Sequence, residues 1–323
     1  MFSLAEKCLY VADLDLWIDS HRPRQRCYVS HGHADHARPH DVVITTPVNA
    51  RICAHRFRTD ASVFETHAFN ESWTIGENRL TLFSAGHVLG SAQLSIESAA
   101  GTFVYTGDFK LEPSYTAEPP EVKRCDVLLM ECTYGRPQYV FPPRAEIAGR
   151  MVEWARRALE DEAVPLFFAY SLGKAQEAMA ILGEAALPLT VHGSVAGLAR
   201  VYEESGVALP PYERYDAAAF DGRRVIIWPP SRSTFPAAVR GRPVRTAALS
   251  GWSVDRATSR RAPGQVGFPL SDHADFPSLL RYIELAAPRK VFLNHGWSDF
   301  APRLRRLGVD AEYLESNRQL ALF

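Results

Sequence analysis

Ser30-His31-Gly32-His33-Ala34-Asp35-His36 places three histidines and a carboxylate within six residues. Imidazole and carboxylate are the usual donors to zinc and related divalent ions. The spacing H-x-H-x-D-H has the chemistry of a two-metal hydrolase, in which the ions activate a water and stabilise the charge that its attack creates. His31 and His33 alternate by two, so at a strand end both can face one side. Asp35 and His36 follow the turn and are placed for a second ion. The run Arg26 to Val29 reads as the buried strand that feeds the turn, and Ala34 to Arg38 as the start of a helix.

Other strands end in the same kinds of residue. Leu16-Trp17-Ile18 stops at Asp19, which can orient a ligand histidine without binding an ion itself. Arg79 to Ser84 leads to His87 between glycines, and Thr102 to Thr106 runs into Gly107-Asp108, where a carboxylate can bridge two ions. Asp126 to Met130 ends in Glu131. Gly267 to Leu270 precedes His273, a further candidate ligand, and Lys290 to Asn294 ends in His295, an active-site candidate. Apolar runs with polar ends predict a sheet buried on both faces whose strand ends converge on one site.

Between these groups the character changes. Pro137 to Pro143 is a proline-containing connection and a candidate boundary. Helical periodicity follows over Glu146 to Glu160, then a strand over Ala163 to Tyr170, the turn Ser171-Leu172-Gly173-Lys174, and a helix from Ala175 to about Ala186. A strand, glycine turn and helix can present backbone N–H groups to an anion, and equally can be a plain connection. Leu189 to Val191 leads to His192, which is either a site residue or a structural one. Arg223 to Trp228 precedes Pro229 to Thr234, including Ser231 and Ser233. Alternating strands and helices predict a small parallel α/β unit.

The composition is that of a globular enzyme. The chain has 323 residues, 46% of them hydrophobic and 23% charged, enough for two domains. A formal net charge of −1 excludes a strongly basic nucleic-acid binder and leaves any phosphate-binding surface local. Five cysteines with no C-x-x-C do not form a disulfide framework. No apolar run approaches a membrane span, and the first residues carry Glu6, Asp13 and Asp15 where a signal peptide would be apolar. The expectation is a cytoplasmic protein with no membrane partner.

In combination, Asp19, H-G-H-A-D-H at 31 to 36, G-H-V-L-G-S-A-Q at 86 to 93, T-G-D-F-K at 106 to 110, Glu131, S-D-H-A-D-F at 271 to 276 and N-H-G at 294 to 296 resemble the β-CASP branch of the metallo-β-lactamase-fold hydrolases. The resemblance implies an αββα sandwich over 1–137 and 247–323, with a β-CASP α/β domain inserted over 138–246. Within the branch, Gly251-Trp252 ahead of F-P-L-S-D-H-A-D-F is similar to the Artemis-type DNA nucleases. K-A-Q-E at 174 to 177, V-H-G at 191 to 193 and P-P-S at 229 to 231 are similar to the bacterial ligase-associated DNA exonucleases. RNA-directed members carry a further histidine where this chain has Gly251 and Trp252. Its absence leaves the general acid open and favours DNA.

Carried over by position, the resemblance implies one ion on His31, His33, His87 and Asp108 and another on Asp35, His36, Asp108 and His273. Asp19 and Glu131 would orient ligand histidines. His295, His192 or a water would supply the proton to the leaving oxygen. Zinc is the first expectation and manganese a second, because carboxylates contribute several contacts. Ser171, Gly173, Lys174, Ser231, Ser233 and Trp252 are candidate substrate contacts in a cleft between the domains, with Arg256, Arg260 and Arg261 as candidate phosphate contacts. The implied substrate is a DNA single strand or strand end, and the implied associates are an ATP-dependent DNA ligase and a helicase. The competing expectations are an RNA-processing nuclease, a small-molecule hydrolase and a non-catalytic nucleic-acid scaffold.

Overall fold

A computed structural model describes residues 2–5, 8–230, 235, 238–255, 262 and 264–314. The chain divides into two compact units, one of residues 1–137 with 273–323 and one of 138–272.

The first unit contains two sheets. One has six strands between Phe2–Ala5 and Phe64–Thr66 in sequence order, the last four (Leu16–Ile18, Arg26–Tyr28, Val42–Thr45, Phe64–Thr66) running parallel. The other has seven, in the order Ala311–Tyr313, Lys290–Gly296, Val127–Cys132, Gly101–Tyr105, Ala92–Ser98, Asn78–Ser84 and Ser72–Ile75.

Period-2 alternation explains how these sheets pack. Phe103, Tyr105, Val127, Leu129 and Phe292 join Leu16, Ile18, Tyr28 and Ile44 in one core between the sheets. Their strand neighbours Val104, Leu128, Met130, Val291 and Leu293 point the other way, onto Leu279, Tyr282 and Ile283 of helix Phe276–Ala286 and Phe300 and Leu304 of helix Phe300–Arg306. Behind the first sheet, Cys27, Val29 and Val43 pack with Ala37 and Cys53, the latter on helix Pro47–Phe57. The layers are therefore helix, sheet, sheet, helix. Buried strands with apolar residues on both faces are what the near-continuous runs in the sequence require.

The expected helix at Ala34 to Arg38 is not formed. Those residues make a turn, with Ala37 N–H donating to His33 O. Pro39 lacks an N–H and disfavours helical backbone at Arg38, so the turn cannot propagate.

The second unit has a mainly parallel sheet in the order Tyr212–Arg214, Leu189–Val191, Val225–Trp228, Val164–Phe168, Arg242–Leu249, with Val266–Phe268 beside the last and the short Ala238–Val239 antiparallel to it. Helices Arg144–Glu160, Lys174–Glu184 and Gly193–Glu204 bury Met151, Met179 and Val195 in the core that also takes Phe167, Val191, Ile227 and Leu249. The unit extends past 246 to Asp272. Strand Arg242–Leu249 runs through that position unbroken, and Val266–Phe268 adds to the same sheet.

Candidate metal centre

The site is built at strand ends of the first unit. Asp19 follows strand Leu16–Ile18 with φ 44°, and His295 is the last residue but one of strand Lys290–Gly296, with φ 46°. A non-glycine residue in the left-handed region is uncommon, and such positions concentrate at functional sites.

Asp19 is buried and fully engaged. Its Oδ1 accepts Ser30 N–H at 2.8 Å. Its Oδ2 accepts Ser30 Oγ at 2.6 Å, His36 Nδ1 at 2.8 Å and Tyr105 OH at 2.8 Å. Asp19 thus holds the His36 ring by a buried hydrogen bond. Tyr105 was not singled out in the sequence. The available signal was a phenol on the core-facing side of strand Gly101–Tyr105, where a buried hydroxyl needs an acceptor. Burial, then the Asp19 charge, push the Tyr105 phenol well up, so it keeps its proton and donates.

Asp108 is the centre of the imidazole cluster. Its Oδ2 lies 3.3 Å from His36 Nε2, 3.5 Å from His31 Nε2, 3.9 Å from His87 Nε2 and 4.0 Å from His273 Nδ1. Ligand-type atoms of His31, His33, His87 and Asp108 all lie within 4.8 Å of one another, and so do those of Asp108, Glu131 and His273. His33 Nδ1 and His87 Nε2 are 3.0 Å apart. The His295 ring lies 4.7 Å from that of His36, and the His273 ring 4.7 Å from that of His87.

Glu131 supports His273 with both oxygens, 2.9 and 3.0 Å from Nδ1. The same carboxylate accepts Phe109 N–H at 2.8 Å and the Thr133 hydroxyl at 2.5 Å. Asp35 is exposed on the turn at 34–36 and belongs to neither group of converging atoms.

The electrostatics fit a cation. Burial pulls the His36 imidazolium down, but the Asp108 and Asp19 carboxylates outweigh it and hold His36 well above the ordinary histidine range. Burial, His36 and His87 push His31 well below that range. Burial raises Asp108, but the surrounding imidazoles, His36 first, hold it well below the carboxylate range. Burial and then His36 lower His295. His31 Nε2 is buried with no hydrogen-bond partner, a costly state unless something else meets it. Imidazoles and a carboxylate aimed at one point, with an orphaned ring nitrogen, match the donor chemistry of a divalent metal.

Candidates in the second unit have other partners. Lys174 is buried, and its Nζ donates to the buried Asp272 Oδ2 at 2.9 Å, so its charge is already matched and it is not an open phosphate contact. Gly173, at φ 81°, precedes the helix, and Gln176 closes the turn by accepting Gly173 N–H and donating to Ser171 O. His192 caps helix Gly193–Glu204 by accepting Ser194 N–H at 3.1 Å, and its ring meets Trp228 edge-on at 4.4 Å. Ser171 Oγ lies 2.9 Å from Ser194 Oγ. Trp252, in the turn Gly251–Val254, is half-buried with its ring perpendicular to Tyr139 at 5.2 Å. Ser231, Ser233, Arg256, Arg260 and Arg261 lie outside the described residues.

Two sheets packed face to face between helices, with metal-ligand side chains gathered at strand ends, define a metallo-hydrolase of the metallo-β-lactamase fold. The architecture, with its second α/β unit, is that of the β-CASP branch of this fold. Residues 267–316 match the family described as the Zn-dependent metallo-hydrolase RNA specificity domain. The chain is 39% identical over 319 residues to a probable DNA ligase of Opitutus terrae, covering 97% of this chain and 31% of that protein. It is 26% identical over 281 residues to the 5′ exonuclease Apollo of Gallus gallus, covering 82% of this chain and 57% of the relative. It is 40% identical over 108 residues to the transcription termination factor FttA of Pyrococcus abyssi, covering 32% and 17%. The chain thus spans less than two-thirds of each of these relatives. Among the described residues no helix is long and apolar enough to cross a membrane.

Proposed function

We propose that the chain is a metal-dependent phosphodiesterase acting on DNA as an exonuclease, with a role in repair. The convergence of His31, His33, His36 and His87 on Asp108 carries the hydrolase reading. Similarity along 97% of the chain to a protein named for DNA ligation, and along 82% to one named a 5′ exonuclease, favours DNA.

One divalent ion would be held by His31, His33, His87 and Asp108, and a second by Asp35, His36, Asp108 and one more histidine. When bound, the ions supply an activated water and a positive field for the phosphate in flight. Zinc suits the imidazole-rich set, and manganese remains compatible with its carboxylates. Asp19 orients His36 and Glu131 orients His273, which fixes where each ring points before substrate arrives.

By sequence position the remaining donor is His273. The nitrogen of His273 nearest Asp108 is Nδ1, and that nitrogen is engaged by Glu131. His295 instead lies ring to ring with His36. This geometry favours His295 as the donor. It leaves His273, backed by the Glu131 carboxylate, to hand a proton to the leaving oxygen. A carboxylate behind an imidazole stabilises the charged ring that such a transfer needs.

A second reading, RNA processing, has its own support in the matched RNA specificity family and in FttA. Digestion of matched 5′- and 3′-labelled DNA and RNA strands, in zinc or manganese and with Asp35→Ala as control, separates the two. Stepwise shortening of DNA from one end is expected. RNA cut much faster than DNA would replace the first reading with the second. A supporting link to a ligase or helicase would appear as co-purification with either partner.

A further inference from the structure

We infer that Ser30 is a positioning residue that sets the tautomer of His31, so that one carboxylate, Asp19, aligns histidines on both halves of the metal centre. The inference rests on the metal-centre reading above and adds a residue to it.

Proton bookkeeping carries the argument. A carboxylate only accepts hydrogen bonds, and a serine hydroxyl has one hydrogen to give. Ser30 Oγ is 2.6 Å from Asp19 Oδ2, so its hydrogen is spent there. Ser30 Oγ is also 3.0 Å from His31 Nδ1. That contact is a hydrogen bond only if Nδ1 carries the proton and Ser30 accepts it. His31 Nε2 is then the bare nitrogen. It is the buried atom without a hydrogen-bond partner, 3.5 Å from Asp108 Oδ2. In the opposite tautomer, the lone pairs of Ser30 Oγ and His31 Nδ1 would face each other in a dry site.

The same Asp19 oxygen holds His36 Nδ1 at 2.8 Å directly. His31 belongs to the first set of donors and His36 to the second. Asp19 therefore reaches one set through Ser30 and the other without an intermediary. The room for Ser30 comes from Gly107: a Cβ there would sit 2.8 Å from Ser30 Cβ and 2.9 Å from its Oγ, and the backbone φ is +57°. The glycine beside Asp108 is thus required by the serine beside His31.

Two measurements test this. Imidazole 1H–15N correlations on the metal-free, 15N-labelled protein, with His31→Asn for assignment, should show His31 protonated at Nδ1. Ser30→Ala should move it toward the Nε2–H form. Zinc titration of the same proteins should show Ser30→Ala losing about 10- to 100-fold in affinity for one ion and little for the other. Asp19→Asn should weaken both. An Nε2–H tautomer in the unaltered protein, or wild-type zinc binding by Ser30→Ala, overturns the inference. If the unaltered protein takes up no zinc, the metal-centre reading fails, while the tautomer measurement still decides the role of Ser30.

Discussion

Both oxygens of Glu131 lie within 3.0 Å of His273 Nδ1, and Glu131 is fully enclosed. The pair is anchored on two further sides, by Phe109 N–H and by the Thr133 hydroxyl. Glu131→Gln keeps the shape but loses the charge behind His273. Partners of this kind are worth about 10- to 100-fold in activity, so kcat should fall by that factor. Unfolding in urea should show a loss of about 1–3 kcal/mol, because an amide cannot accept from all these donors. Wild-type kcat in Glu131→Gln would remove Glu131 from the machinery.

His273 and His295 can be parted by counting metal. With His295 as a donor and His273 as the proton carrier, His295→Ala should retain about one ion fewer per chain after dialysis than the unaltered protein. His273→Ala should keep the full complement and lose about 100-fold or more in kcat. The reverse pattern, metal lost with His273 and kept without His295, would return the donor role to the residue that sequence position favours.

Part of the site was legible because several core strands run into a polar residue of the candidate site. Leu16-Trp17-Ile18 stops at Asp19 and Val127 to Met130 at Glu131, and alternation buries the residues before them on both faces. Contacts between residues far apart in sequence were not legible. The turn that carries Lys174 read equally as a phosphate contact or a plain connection, and the carboxylate that meets its charge, Asp272, lies 98 positions away. Likewise the sequence left His192 open between a site and a structural role, and its partners in the structure are the Ser194 N–H and the Trp228 ring. Local pattern also failed at Ala34 to Arg38, where Pro39 outweighed the polar, helix-compatible run.

His40 is a pH-dependent element away from the converging donors. It is buried, its Nδ1 accepts Arg24 N–H at 3.1 Å, and burial lowers it to about 4. The unfolded chain takes up this proton near pH 6.5, and the folded chain only near pH 4. Stability from neutral His40 is therefore complete above pH 6.5 and is lost as pH falls toward 4, by an amount on the order of 3 kcal/mol. His40→Asn keeps an acceptor that does not titrate. In urea melts with chelator at pH 7.5, 6.0 and 5.0, the unaltered protein should lose stability more steeply than His40→Asn. Parallel losses would show that His40 contributes nothing to the acid limb.

Metal uptake should itself release a proton. His36 is held well above the ordinary histidine range by Asp108 and Asp19, against the pull of burial. The metal-free ring is therefore biased toward its charged form, and a metal needs its bare nitrogen. Affinity should rise with pH until the raised value for His36 is passed, and then level off. Calorimetric titration of zinc into metal-free protein at pH 7, in buffers of different ionisation enthalpy, should show about one proton released per chain from this source. Asp19→Asn removes one of the two charges that hold the proton on His36 and should release fewer. Equal release by both proteins would mean that Asp19 does not govern the charge of His36, whatever its role in aiming the ring.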